Sequence, residues 1–233
     1  MKPLNENLKN SNSRRKFIEK FVASATLAGL AGPTFSKSLI PGNNTVTGEL
    51  DDWFNQIKGA HRAVYDVPSP NDLYPFAWPK VFLMTNEMAG AKPGDSSVVV
   101  VLRHEGIPFA MENRLWEKYH FGELFKYNDP VTKKPSLRNP FWQPGDNDFV
   151  VPGVGPVQIG INQLQESGVM FCVCNMAITV YSAAIAQSMN GNPEEVKKDF
   201  ISGVLPGIQL VPSGVWALGR ANEHGCAYIY AGH

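Results

Sequence analysis

The chain has 233 residues, with 21 basic and 21 acidic side chains and a formal net charge of zero. No basic block stands outside the first residues, which argues against a nucleic-acid footprint. Three cysteines, Cys172, Cys174 and Cys226, are an odd number and too few for a disulfide scaffold.

The stretch "NSRRKFIEKFVASATLAGLAG" places Ser13 before the pair Arg14 and Arg15, with Phe17 and Lys20 behind. A weakly apolar run from Phe21 to Gly32 follows. This order resembles a twin-arginine export signal. The apolar run is too short to span a bilayer as a stable helix, and no later segment is long or apolar enough. The expected organisation is a signal peptide and flexible lead-in over 1–40, a linker and N-terminal extension over 41–59, and one domain over 60–233. The expected location is the periplasm, reached through the twin-arginine export machinery. Because that route carries folded cargo, reduced thiols can leave with the fold.

The remaining chain of about 190 residues suits one domain with a sizeable core. "HRAVYDV", His61–Val67, alternates and ends at "PSPND", which predicts a strand. "WPKVFLMTNEMAG" has Pro79 placed for a first helical turn and Gly90 for an end, which predicts a helix. "SSVVVVL" has no polar alternation and belongs to a strand covered on both faces. "FAMENRLWEKYHFGELF" has Met111, Leu115, Trp116, Tyr119 and Leu124 close to helical spacing.

Residues 126–155 are rich in proline and glycine and too long for an ordinary connection. Their aromatics, Phe141, Trp142 and Phe149, predict an ordered flap. Beyond it come a short helix in "PVQIGINQLQESG", a buried strand "VMFCVC", and helices in "NMAITVYSAAIAQSMNG" and "PEEVKKDFISGV". A strand "IQLVPSG", a helix "VWALGRANEHG" and a last strand "CAYIY" complete the series. Alternation of strand and helix predicts an α/β fold with a parallel sheet covered on both faces.

In such a sheet, ligands sit outside the carboxyl ends of the strands. Cys174 occupies one of those ends, just before a helix opening at Asn175. The amides of a helix N-terminus stabilise an anion, which favours a thiolate there. The valine strand ends in Arg103, His104 and Glu105, and the "IQLVPSG" strand ends at Ser213, placed as a helix N-cap. Cys174, His104 and Ser213 are therefore candidates to converge. His104 would accept the thiol proton or stand beside the thiolate as a cation.

Each residue also has a plain structural role open to it. Cysteines in apolar runs are commonly small core residues, the reading given to Cys172 and Cys226. Ser213 can be only a cap, and Arg103 with Glu105 only an ion pair. His61, His120, His224 and His233 show no metal-ligand spacing, and no cofactor or metal is expected. A disulfide across the Cys-x-Cys pair would be strained.

"GVMFCVCNMAI" followed by "IQLVPSGVWALGRANEHGCAYIY" resembles the DsrE/DsrF-like sulfur-relay proteins over residues 168–230. "HRAVYDV" through "VVVVLRHEGIPFAM" is similar to the first two strands of such domains, whereas 107–157 departs with its flap. The resemblance implies a three-layer α/β/α domain with a mostly parallel sheet of about five strands. It also implies homo-oligomers, trimers or hexamers. In family members active in sulfur transfer, a cysteine at the strand end carries a persulfide between a donor and an acceptor. That role falls on Cys174, with His104 assisting and Arg103, Glu105, Asn175 and Ser213 around it. The family's usual glycine after the cysteine is Asn175 here. The alternative function is a non-catalytic oligomeric module for small-ligand binding or assembly.

Overall fold

The computed structural model describes residues 44–233, with side chains from residue 48 onward. The export-signal expectation for 1–40 lies outside the described residues. Two compact units divide them, one formed by 178–202 and the other by the rest.

The larger unit opens with helix α1, Asn44–Phe54, where the sequence predicts a linker. Its valine, threonine and glycine content is poor for a helix. Burial supplies what propensity lacks: Leu50 and Phe54 join a core with Val64, Val99, Val101 and Cys172.

Strand β1, His61–Val67, is followed by helix α2, Tyr74–Met88. The helix starts four residues before the predicted tryptophan, because Pro75 takes the first turn and Pro79 falls inside. Strand β2, Ser96–Leu102, is the valine run, buried from Val98 onward.

A 3-10 helix, His104–Ala110, follows, and then α3, Asn113–Tyr119, and α4, Phe121–Leu124. The single helix predicted for 109–125 is thus broken. The break falls at His120, whose left-handed backbone (φ 52, ψ 47) ends α3 and turns the chain into α4. In the flap, two short antiparallel strands pair, β3, Val150–Val151, and β4, Gly155–Pro156. Helix α5, Ile161–Glu166, begins at Gly160, whose amide donates to the Gln163 side chain at 2.9 Å.

Strand β5, Met170–Cys174, runs directly into helix α6, Asn175–Ser188. Strand β6, Ile208–Val211, helix α8, Gly214–Glu223, and strand β7, Ala227–Tyr230, close the series after α7, Pro193–Ser202.

The sheet is five-stranded and wholly parallel, in the order β6-β5-β2-β1-β7. Alternation along the strands gives it two faces. One carries Val64, Val99, Val101 and Cys172 and is covered by α1 and α8, including Ala217 and Ala221. The other carries Tyr65 and Phe171. There Phe76 of α2 stacks toward Phe171, and the Tyr65 hydroxyl donates to the Trp78 carbonyl. The architecture is three-layer α/β/α, as predicted.

The flap is ordered and joins the α2 face. Phe141 stacks on Phe76 at 4.0 Å and on Phe149 at 4.6 Å, with Phe109 edge-on at 5.4 Å. Phe141 and Phe149 therefore complete that core, whereas the Cys174 side chain belongs to the opposite face. Asn139, fully buried, anchors the flap by donating to the carbonyls of Phe109 and Met111.

In the unit formed by 178–202, α7 starts at Asn192, whose side chain accepts the Glu194 amide at 2.9 Å. Pro193 at the first position and Glu194 and Glu195 in the first turn suit that end.

Candidate functional site at the carboxyl edge of the sheet

The chain advances through β1, β2, β5 and β6 in one direction and then returns across the sheet to β7. The carboxyl ends of β5 and β6 flank this reversal, the place where open α/β sheets bind ligands. Cys174 and Val211 are register partners there, and the Met176 amide donates to the Pro212 carbonyl at 3.2 Å. The turn leading to Ser213 and the first turn of α6 are thereby held together.

Cys174 is 6% exposed. Its Sγ accepts the Ala177 amide at 3.2 Å, so the sulfur takes the capping position at the start of α6. An amide donor and the N-terminal end of α6 are thus both directed at that atom. Cys172 is one pleat deeper and fully buried, and burial pushes its thiol far up. Burial raises Cys226 as well, against a lowering pull from Arg62. All three thiols are free.

Arg103 is the cation of this edge. Its guanidinium grips Asp66 with two hydrogen bonds, Nε to Oδ1 at 2.6 Å and Nη2 to Oδ2 at 2.9 Å. Asp66 is 1% exposed and also accepts the Tyr228 hydroxyl at 2.7 Å. The hydrogen bond to Asp66 is the main cause of a raised Arg103 pKa. Desolvation opposes it, and the charges of Asp66, Tyr228 and Cys174 add to it. The last of these places the Arg103 guanidinium within electrostatic range of the Cys174 sulfur.

Gly214, the first residue of α8, makes room for this arrangement. A Cβ built there would lie 2.5 Å from Arg103 Cβ and 2.8 Å from its Cδ. Only a residue without a side chain lets the arginine lie across the helix start. Ser213 caps that helix, accepting the Trp216 amide at 3.2 Å, as predicted.

His104 follows Arg103 at the surface with a left-handed backbone, φ 47. Desolvation lowers its pKa, Arg103 pulls the same way, and Glu105 opposes. The net direction is downward, which disfavours the imidazolium form. The cationic place beside Cys174 belongs to Arg103. Arg103 forms its ion pair with Asp66, not the Glu105 pair open to it as a plain structural role, and the Glu105 amide donates to the Pro68 carbonyl at 2.8 Å. Asn175 opens α6 directly behind Cys174.

Asp66 and Tyr228 were not singled out from the sequence. A signal existed for the first: an aspartate near the end of "HRAVYDV", at a position whose neighbours on both sides are buried, needs a buried partner. Nothing comparable marked Tyr228. Among the described residues, no group of three or more His, Cys, Asp or Glu could hold a metal ion. No helix among them is long and apolar enough to cross a membrane.

The fold and edge define an α/β protein whose open five-stranded sheet is all parallel, with a capped cysteine at the point where the strand order reverses. No family model matches the chain, and no curated protein matches it. Among solved structures, it is similar to a protein of unknown function, MTH1491 from Methanobacterium thermoautotrophicum. The identity is 15% and the TM-score 0.37, over 73% of this chain and 99% of that one.

Proposed function

We propose that the protein takes up sulfane sulfur on Cys174 and passes it on, as an exported, homo-oligomeric, DsrE-like sulfur carrier. The observation that supports this most is the Cys174 sulfur itself. It sits at a strand end with an amide donor at 3.2 Å and the Arg103 charge in reach. The resemblance of "GVMFCVCNMAI" to sulfur-relay proteins and the Arg14–Arg15 signal support the carrier role and the periplasmic location.

In the loading step, the Cys174 thiolate attacks the outer sulfur of a donor persulfide. A bond forms between the two sulfurs while the donor's own sulfur–sulfur bond breaks. The donor leaves as a thiolate with the bonding pair, and the transferred sulfur keeps its proton. An acceptor thiolate attacks that outer sulfur in turn and restores Cys174. No external oxidant is needed in either step. Arg103 and the Ala177 amide attract the anion at the start and end of each transfer, and the proton-acceptor role of His104 rests on its place just past the end of β2.

Burial of Cys174 favours a second reading, a non-catalytic binding or assembly module whose cysteines are packing. One experiment separates the two. Wild-type, Cys172→Ser and Cys174→Ser proteins are treated with inorganic polysulfide, freed of excess and analysed by peptide mass spectrometry. The carrier reading expects a gain of one sulfur atom at Cys174, retained in Cys172→Ser and lost in Cys174→Ser. Equal sulfur uptake by Cys174→Ser would discard it and leave the second reading.

A further inference from the structure

Helix α2 has two unlike sides. Pro75, Phe76 and Pro79 are buried, and Phe82, Leu83 and Asn86 are half-buried on the same side. On the other side Tyr74, Val81, Met84 and Met88 are exposed, Met88 by 82%, and Ala77 between them is half-buried. A helix turns about 100° per residue, which puts this second set in one stripe along its whole length. Scattered exposed apolar residues are ordinary on a protein surface, but a continuous row is a mark of an interface.

The spacing of the row is three, four, three, four. Tyr74, Ala77, Val81, Met84 and Met88 follow the a and d positions of a heptad, the seam of a two-helix coil. Lys80 and Glu87 then both fall at position g, at the edge of the seam. Glu87 is exposed, and Lys80 makes a single long hydrogen bond to the Ser167 hydroxyl at 3.5 Å.

We infer that this face binds the same face of a second copy of the chain, with the two α2 helices antiparallel about a two-fold axis. In that register Val81 packs on the partner's Met84 and Ala77 on the partner's Met88. Lys80 meets the partner's Glu87, and by symmetry the pair occurs twice. Charge thus favours this orientation: in a parallel coil g faces e, and Trp78 and Thr85 at e offer no charge. Self-complementarity of one patch is what a two-fold dimer requires. The seam is two heptads long, small beside the roughly 800 Å² per partner of a standard stable interface, so the dimer is weak and reversible. The inference is independent of the role given to Cys174.

Sedimentation equilibrium of the full chain over a wide concentration range tests it. Wild type is expected to pass from monomer to dimer as concentration rises, and Met84→Lys to remain monomeric with an unchanged circular dichroism spectrum. Lys80→Glu alone and Glu87→Lys alone are each expected to weaken dimerisation about tenfold at low salt. The double reversal restores it, because the pairs reform with their charges exchanged. A wild type that is monomeric at every concentration overturns the inference, as does a dimer untouched by Met84→Lys. Capture of lipid vesicles or of a different protein by the stripe in a monomeric chain overturns it as well. A double reversal weaker than both single ones rejects the antiparallel register.

Discussion

Arg103 and Asp66 meet through two parallel hydrogen bonds, at 2.6 and 2.9 Å, with the carboxylate almost wholly out of solvent. A charge buried to that degree is tolerable only while its partner is in place. Arg103→Ala is therefore expected to destabilise the fold by about 3 kcal/mol, most of it the cost of leaving Asp66 uncompensated. Urea unfolding would measure it. Arg103→Lys should recover little, because an ammonium cannot reproduce the two-point grip. The Asp66→Asn/Arg103→Gln pair should be milder than the sum of its singles.

Arg103 also links stability to the chemistry of the sulfur. Alkylation of the folded protein at neutral pH is expected to modify Cys174 before Cys172, whose thiol is pushed up by burial. Arg103→Gln should slow modification of Cys174 by removing the cation that interacts with it. Iodoacetamide labelling followed by peptide mass spectrometry reads both effects. Labelling of Cys172 first, or an unaltered Cys174 rate in Arg103→Gln, would contradict this electrostatic picture.

The hydrogen bond from Tyr228 to Asp66 has its own signature in alkali. It is the first cause holding the Tyr228 phenol up at about 12, with desolvation next. A raised pKa means that the folded state binds the proton more tightly than the unfolded chain. The stability this contributes is fully present below about pH 10, the ordinary tyrosine value, and is lost as pH rises toward 12. Tyr228→Phe should flatten the alkaline limb of the stability profile. Tyr65, raised to about 12 by burial alone, keeps the rest of that limb in place.

Acid acts on the flap. Asp129 is buried and accepts the amides of Val131 and Thr132 at 2.9 Å and Arg138 Nε at 2.8 Å. Desolvation is the largest single influence and raises its pKa, but the Thr132, Arg138 and Val131 hydrogen bonds together lower it. Its stabilisation is present above the ordinary carboxylate range of about 3.9 and is lost as pH falls through the lower folded value. Asp129→Asn should cost about 2 kcal/mol at neutral pH, from hydrogen bonds to a lost charge, and reduce the acid slope. Thermal unfolding at two pH values checks both.

The parallel sheet was legible because apolar runs such as Val98–Leu102 leave few alternatives, and each alternates with a helix-like segment. Cys174 and Ser213 were legible for the same reason: each stands where a strand stops and a helix starts. What escaped depends on contacts far apart in the chain. Helix α1 has weak propensity and is held by the core cluster around Phe54. His120 breaks a helix through a backbone conformation that its side-chain type only weakly marks. Asp66, Arg103 and Tyr228 are separated by 37 and 162 positions, and only the strand order puts them side by side.

That strand order also gives the chain a clock. Among the described residues β7 is the last strand in chain order, yet it pairs with β1, the first. The register Asp66↔Tyr230 and the Tyr228 hydroxyl that closes the carboxylate's shell cannot form until residue 230 exists. During synthesis, a chain not yet extended to β7 has an open β1 edge and an aspartate held by Arg103 but still without the Tyr228 hydroxyl.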